Sequence, residues 1–243
     1  MRILITNDDG INAPALKPLA TWAKKHGEVT VVAPKIEQSG KSHGIEIIKP
    51  MEIKRVNLIE GVEAYSVDST PADCVRFGII GLQRDYDLVI SGINRGYNLG
   101  KDIVYSGTVG AIFEASGLGV KSVALSTAPD SLENAISLLD DVYNFFVTNK
   151  LLDKNPIYNV NLPSLKCKGI KITKSGGGYY SDDFKEIEPN LFIQVGKMIW
   201  DDKQDMNIDT DAAMHGYVSI TPLSSERTEL GVYEQLKDLN KND

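Results

Sequence analysis

The chain has 243 residues, 42% of them apolar and 24% charged, with a formal net charge of −7. This is the composition of a folded globular protein, and it excludes a disordered chain, a collagen and a disulfide miniprotein. No uncharged run is long enough to cross a bilayer, three histidines are too few for a His-rich metal site, and the two cysteines form no C-x-x-C pair. Residues 1–120 carry 13 bases and 14 acids, and residues 121–243 carry 13 and 19, with no sustained basic run. Neither long nucleic acid nor a membrane is therefore an expected partner. The opening MRILITNDDG holds two acids, which does not suit a secretory signal and points to the cytoplasm.

Arg2–Thr6 reads as an apolar strand, followed by the polar turn Asn7-Asp8-Asp9-Gly10. Ala15–His26 is predicted as a helix with Leu16, Leu19, Ala20 and Ala23 on one side; Pro14 suits its start and Gly27 its stop. Val29–Ala33 is the next strand, so the chain opens as a βαβ unit with parallel strands. A polar loop spans Pro34–Gly44. Ile45–Ile48, Val56–Leu58 and Ala64–Val67 are candidate strands, and Thr70-Pro71-Ala72-Asp73 starts a helix. Leu88–Ser91 is a strand that runs into a Gly/Asn loop from Gly92 to Gly100. Ser106-Gly107-Thr108 precedes a small-residue helix over Val109–Ser116. Val123–Ser126 is a strand, Leu132–Asn149 one long amphipathic helix, and Ile157–Val160 a strand. After Asn161-Leu162-Pro163 the texture changes. Ile170–Thr173, Leu191–Trp200 and Gly216–Thr221 read as strands, and Ser224–Leu239 as a final helix. The apolar surface of Leu191–Trp200 calls for packing on the core or on another subunit.

In an open parallel sheet, ligands bind beyond the carboxyl ends of the strands. Asn7–Gly10, Gln38–His43 and Gly92–Thr108 are the polar loops expected there. Asp8 and Asp9 offer hard oxygens for Mg²⁺ or Mn²⁺; the alternative is a solvated turn or a helix cap. Ser39 and Asn94 offer a hydroxyl and an amide oxygen that add no charge, or they are ordinary loop residues. Ser106, Gly107 and Thr108 suit an anion cradle at a helix start, or simply an N-cap. His43 is a candidate to protonate a leaving oxygen, or else a loop-stabilising histidine. Tyr97, Tyr179 and Tyr180 are candidates to stack on a base. The chain lacks a P-loop, a G-x-G-x-x-G fingerprint after its first strand and a G-x-S-x-G elbow, which argues against P-loop NTPases, dinucleotide oxidoreductases and α/β serine hydrolases.

ILITNDDGINAP, APKIEQSG, STPADCV and DLVISGINRGYNLGKDIVYSGTV, followed by YNVNLP and TDAAMHGYVSITPL, together resemble the SurE family of survival-protein-E nucleotidases. The resemblance spans nearly the whole chain. It implies an α/β fold with a three-layer Rossmann-like core over residues 1–165. Residues 166–243 would form an extension with a protruding hairpin and a swapped terminal helix that makes a homodimer or homotetramer. It also implies a metal-dependent phosphomonoesterase acting on nucleoside 5′- and 3′-monophosphates, with one divalent ion (Mg²⁺ or Mn²⁺) per subunit on Asp8, Asp9, Ser39 and Asn94. Asn7 and the Tyr105–Thr108 segment would bind phosphate. A short-chain polyphosphatase and a non-catalytic phosphate-binding regulator remain as alternatives. Ala15, Ser69 and Ala115 stand where the family pattern favours glycine.

Overall fold

The computed structural model describes residues 1–239. A nine-stranded sheet forms the centre. Its first half contains β1 (Arg2–Thr6), β2 (Glu28–Pro34), β3 (Ile53–Val56), β4 (Glu63–Val67) and β5 (Leu88–Arg95). Its second half contains β6 (Ser122–Thr127), β7 (Ile157–Leu162), β8 (Ile170–Ile172) and β11 (Val218–Pro222). The spatial order is β3-β4-β2-β1-β5-β6-β7-β11-β8. The six strands from β4 to β7 run parallel. β3 closes one edge antiparallel to β4, and β11 adds antiparallel to β7 with β8 alongside it. Strand order reverses between β1 and β5, so the crevice at their carboxyl ends is the topological switch point, where such sheets bind ligands.

Parallel strands are covered on both faces and so read as continuous apolar runs. In β1 every residue from Ile3 to Thr6 is buried. Ile3 and Ile5 enter the layer packed by α1 (Leu16–Ala23) and α5 (Leu139–Thr148). Leu4 enters the opposite layer, with Val75 of α2 (Pro71–Arg76) and Ala111 of α3 (Gly107–Gly117). The predicted α1 face is the buried one: Leu16, Leu19, Ala20 and Ala23. Pro71 occupies the first turn of α2, and Thr70 caps it by accepting from Asp73 N.

Several expectations change in the structure. Leu132–Asn149 is two helices, α4 (Leu132–Ser137) and α5, and the short α6 (Leu151–Lys154) follows them. At the break Ser137 Oγ donates to Asn134 O at 2.7 Å, and Leu138 N bonds three residues back to Ala135 O. A serine that competes for a helix carbonyl favours such an interruption. Ile45–Ile48 forms no strand. Glu46 instead accepts from Ile48 N and Lys49 N, which turns the chain, and β3 takes the sheet edge.

The sequence reading named one strand of the protruding pair; the structure has a two-stranded hairpin, β9 (Tyr180–Glu188) with β10 (Leu191–Met198). An unforeseen α7 (Asp209–Met214) precedes β11. The final helix is short: α8 spans only Leu230–Leu236, because Ser224, Glu226 and Thr228 form local turns ahead of it, and α8 buries no residue. Among the described residues no helix is long and apolar enough to cross a membrane.

Candidate active site

Two adjacent carboxylates, Asp8 and Asp9, follow the end of β1. Asp8 turns toward α3 and Asp9 toward the α1 side. Asp8 is buried. Its Oδ1 accepts from Thr108 Oγ1 at 2.5 Å and its Oδ2 from Thr108 N at 3.3 Å. α3 comes this close because residue 107 is glycine: a Cβ there would fall 3.0 Å from the Asp8 Cβ. Ser106 caps α3 by accepting from Val109 N at 3.1 Å. The predicted cap is therefore real, and it leaves the positive end of the helix facing Asp8. Asn7 lies beneath, fully buried. Its amide donates to Gly10 O at 3.0 Å and accepts from Gly10 N at 3.1 Å, which holds the Asp8–Asp9 turn in shape. The structure thus gives the Asn7 side chain to the turn itself.

Asp9 is half-buried, and its Oδ2 accepts from Arg95 N at 3.2 Å. It lines a cleft of about 360 Å³ together with Glu37, Asn94 and Arg95. Asn94 Nδ2 donates to Gly96 O at 2.8 Å, which fixes the amide plane and leaves Oδ1 as its free acceptor. Ser39 sits on an exposed loop and donates to Glu37 Oε1 at 2.7 Å. The loop is tied back to the site through Gln38 N, which donates to Asp8 O at 2.7 Å. Asp9 and Asn94 therefore share one cleft, Asp8 faces the helix start beside it, and Ser39 borders it through Glu37.

Charge is unbalanced here. Burial, helped by the neighbouring Asp9, pushes the Asp8 carboxyl up to about 6 despite the Thr108 bonds that oppose it. Burial also raises Asp9, with Glu37 adding to the effect.

His43, the candidate proton donor or loop-stabilising histidine, is engaged by a carboxylate. Its Nε2 meets Glu114 Oε2 at 2.7 Å, and the other oxygen of Glu114 accepts from Arg76 Nη1 at 2.8 Å. The histidine hydrogen bond, more than Arg76, holds the Glu114 carboxyl below its usual range. Ser42 N donates to Tyr105 O at 3.0 Å, and a Cβ on Gly110 would fall 2.2 Å from Ser42 O. Together these contacts fasten the Ser39–His43 loop along α3.

Sequence reasoning missed the supports of the Gly92–Gly100 loop. Asn159 and Asn161 both donate to Asn98 O at 2.8 Å, Asn161 Oδ1 accepts from Asn98 N at 3.0 Å, and Asn98 Nδ2 donates to Ser126 Oγ at 2.8 Å. The signal was available in YNVNLP: two asparagines alternate on a strand whose other residues are apolar, and buried amides need partners. Asp209 and Asp102 were missed as well. Asp209 accepts from Gly100 N, Gly176 N and Thr210 N, and Asp102 from Tyr179 N and Tyr180 N, which seats the glycine loop on the 100–105 turn. None of Tyr97, Tyr179 and Tyr180 lines the Asp9 cleft. Tyr97 OH accepts from Ser164 N, and Tyr179 is buried beside Leu99 and Ala213, its hydroxyl pushed up to about 12 by burial.

A family model described as "Survival protein SurE" matches residues 3–182. The chain belongs to the SurE family. A protein of Thermoanaerobacter sp. (strain X514) named 5′-nucleotidase SurE is 39% identical, with 100% of this chain and 98% of that protein covered. One of the same name from Thermosipho africanus is 41% identical over 92% of this chain and 91% of its own length. The crystal structure of the SurE protein from Aquifex aeolicus superposes with a TM-score of 0.83 at 32% identity, covering 99% of this chain and all of that one. The mixed α/β core with its largely parallel sheet and smaller C-terminal hairpin-and-helix region is the architecture of this family.

Proposed function

We propose that this chain is a phosphomonoesterase that hydrolyses nucleoside 5′-monophosphates, and 3′-monophosphates as well, to nucleoside and phosphate. One observation carries the reading: two adjacent carboxylates at the switch point, the first in contact with the capped start of α3 and the second in an open cleft. The relatives named 5′-nucleotidase SurE, matched over nearly their full lengths, support the substrate class.

Among the described residues no three His, Cys, Asp or Glu side chains are placed to share a metal ion. The donors at the switch point are of another kind. They are two carboxylates plus the neutral oxygens of Asn94 and Ser39, all hard ligands that suit Mg²⁺ or Mn²⁺. Burial raises both carboxyls, with Asp9 adding to the effect at Asp8 and Glu37 at Asp9, so a bound cation would favour their ionised forms. This set fits one divalent ion on Asp8, Asp9, Ser39 and Asn94, which when bound would polarise the phosphate and acidify a water.

The residues themselves orient and hold the reactants. The start of α3 at Gly107–Thr108 faces the phosphoryl oxygens and stabilises their charge. Asp9, the more open carboxylate, orients the attacking water and takes its proton as the water oxygen bonds to phosphorus. The phosphorus–ribose oxygen bond breaks in line, and the leaving oxygen takes a proton from solvent in the cleft. His43, engaged by Glu114, tethers the Ser39 loop in this scheme.

We also assign residues 1–165 to the catalytic core and, within 166–243, the β9–β10 hairpin and α8 to assembly, since β8 and β11 of that stretch complete the central sheet. Phe184 is 66% exposed on the hairpin and Phe192 54%, while Leu230 and Leu236 stand open on α8. A second copy of the chain is the partner that would cover them.

The test is phosphate release from 5′-AMP after EDTA stripping, then with Mg²⁺ or Mn²⁺ restored. A rate that returns with the ion supports the proposal. No release from folded, metal-supplied protein on 5′-AMP or 3′-AMP, with release from tripolyphosphate, would replace it by a polyphosphatase. No release from any of the three would replace it by a binding protein.

A further inference from the structure

We propose that Arg95 holds the nucleobase of the substrate, its flat guanidinium packing against the face of the ring. This rests on the nucleotidase reading above and adds where the nucleoside lies. Asp8 contacts the α3 start, and the adjacent Asp9 lines the cleft. A phosphate seated against α3 then directs its ester group past Asp9 into the cleft that Asp9 and Asn94 line.

The far walls of the cleft are Pro14, Ala15, Pro129 and Leu132, apolar and lacking any aromatic ring. Among the described residues Arg95 is the one basic side chain lining it. Its backbone N–H is spent on Asp9, but among the described residues its guanidinium has no hydrogen-bond or salt-bridge partner. A planar cation without a hydrogen-bond partner, lining a cleft with apolar walls, is the group suited to stack on a π-face, and stacking is indifferent to which base is presented. Of the tyrosines that the sequence offered for this task, Tyr97 and Tyr179 are engaged elsewhere, and Tyr180 does not line the cleft.

The experiment compares wild type with Arg95→Ala and Arg95→Lys on 5′-AMP, and measures inhibition of that turnover by adenosine and by inorganic phosphate. Both substitutions keep the backbone N–H on Asp9. Expected for Arg95→Ala is a rise of about fivefold or more in KM for AMP, with a matching rise in the adenosine inhibition constant. The phosphate inhibition constant should move far less, and Arg95→Lys should recover only part of the loss because it restores charge without the plane. An adenosine constant that does not move, or a phosphate constant that rises in step with it, would overturn the assignment. So would a wild type that turns over AMP but is not inhibited by adenosine. A wild type that releases no phosphate from AMP would overturn the underlying nucleotidase reading instead.

Discussion

Two pairs of closely spaced aspartates, Asp8–Asp9 and Asp209–Asp211, have opposite fates. Asp209 accepts three backbone N–H bonds, and Asp211 accepts from Trp200 Nε1, Lys203 N and Asp205 N. Both are almost fully buried, and their oxygens are occupied by the loops they organise. Asp8 has one partner residue and Asp9 one backbone amide, at the mouth of a cleft. By spacing alone, Asp209-Thr210-Asp211 looks like the better ligand pair. The fold fills the oxygens of Asp209 and Asp211 with several donors each and leaves the Asp8–Asp9 pair comparatively unfilled, whatever the spacing.

The largest effect should come from the unfilled pair. Asp9→Asn is expected to lower metal-dependent phosphate release by about a thousandfold, in kcat more than KM, with an unchanged circular dichroism spectrum. A loss under tenfold would place the chemistry elsewhere. For the filled pair the effect should be on stability. Asp209→Ala leaves three N–H groups without an acceptor and should cost about 2–4 kcal/mol in urea unfolding. A cost near zero would mean that Asp209 does not seat the loops.

The third expectation sharpens the contrast through pH. Asp8 is raised when folded, so the folded state binds the extra proton, and the penalty of its charge is present above about pH 6 and fades as pH falls through that value. Asp8→Asn should therefore stabilise the metal-free protein at pH 7.5, on the order of 1–3 kcal/mol, with the gain shrinking below pH 6. Destabilisation at pH 7.5 would contradict an uncompensated carboxylate. The smallest effect concerns His43. As a tether to Glu114, its replacement by Ala should reduce kcat less than about tenfold and leave the pH profile's shape intact, whereas loss of a proton donor would cost a hundredfold or more.

The parallel core was legible because β1, β2, β5, β6 and β7 are apolar runs separated by helix-period segments, and the α1 face could be named residue by residue. The break at Ser137 was hidden, since it depends on a side-chain bond that leaves the apolar spacing intact. The residues of the Asp8–Asp9 turn, Asn94 and the α3 cap were named from strand ends and helix starts, and the structure places them around one crevice. Their supports were not: Glu114, Asn98 and Asp209 act through contacts 71, 63 and 109 residues away in sequence. No local pattern reports such pairings. No local pattern marks Arg95 either; only the cleft brings it, with Asn94, beside Asp9.

The most direct measurement is Mn²⁺ binding, by titration calorimetry on EDTA-stripped protein, for wild type, Asp9→Asn and Asp209→Ala, at a temperature where all three are folded. Wild type should bind one ion per chain, Asp209→Ala should keep that site, and Asp9→Asn should lose it. Binding that survives in Asp9→Asn and disappears in Asp209→Ala would contradict the assignment of the unfilled pair as the ion's site.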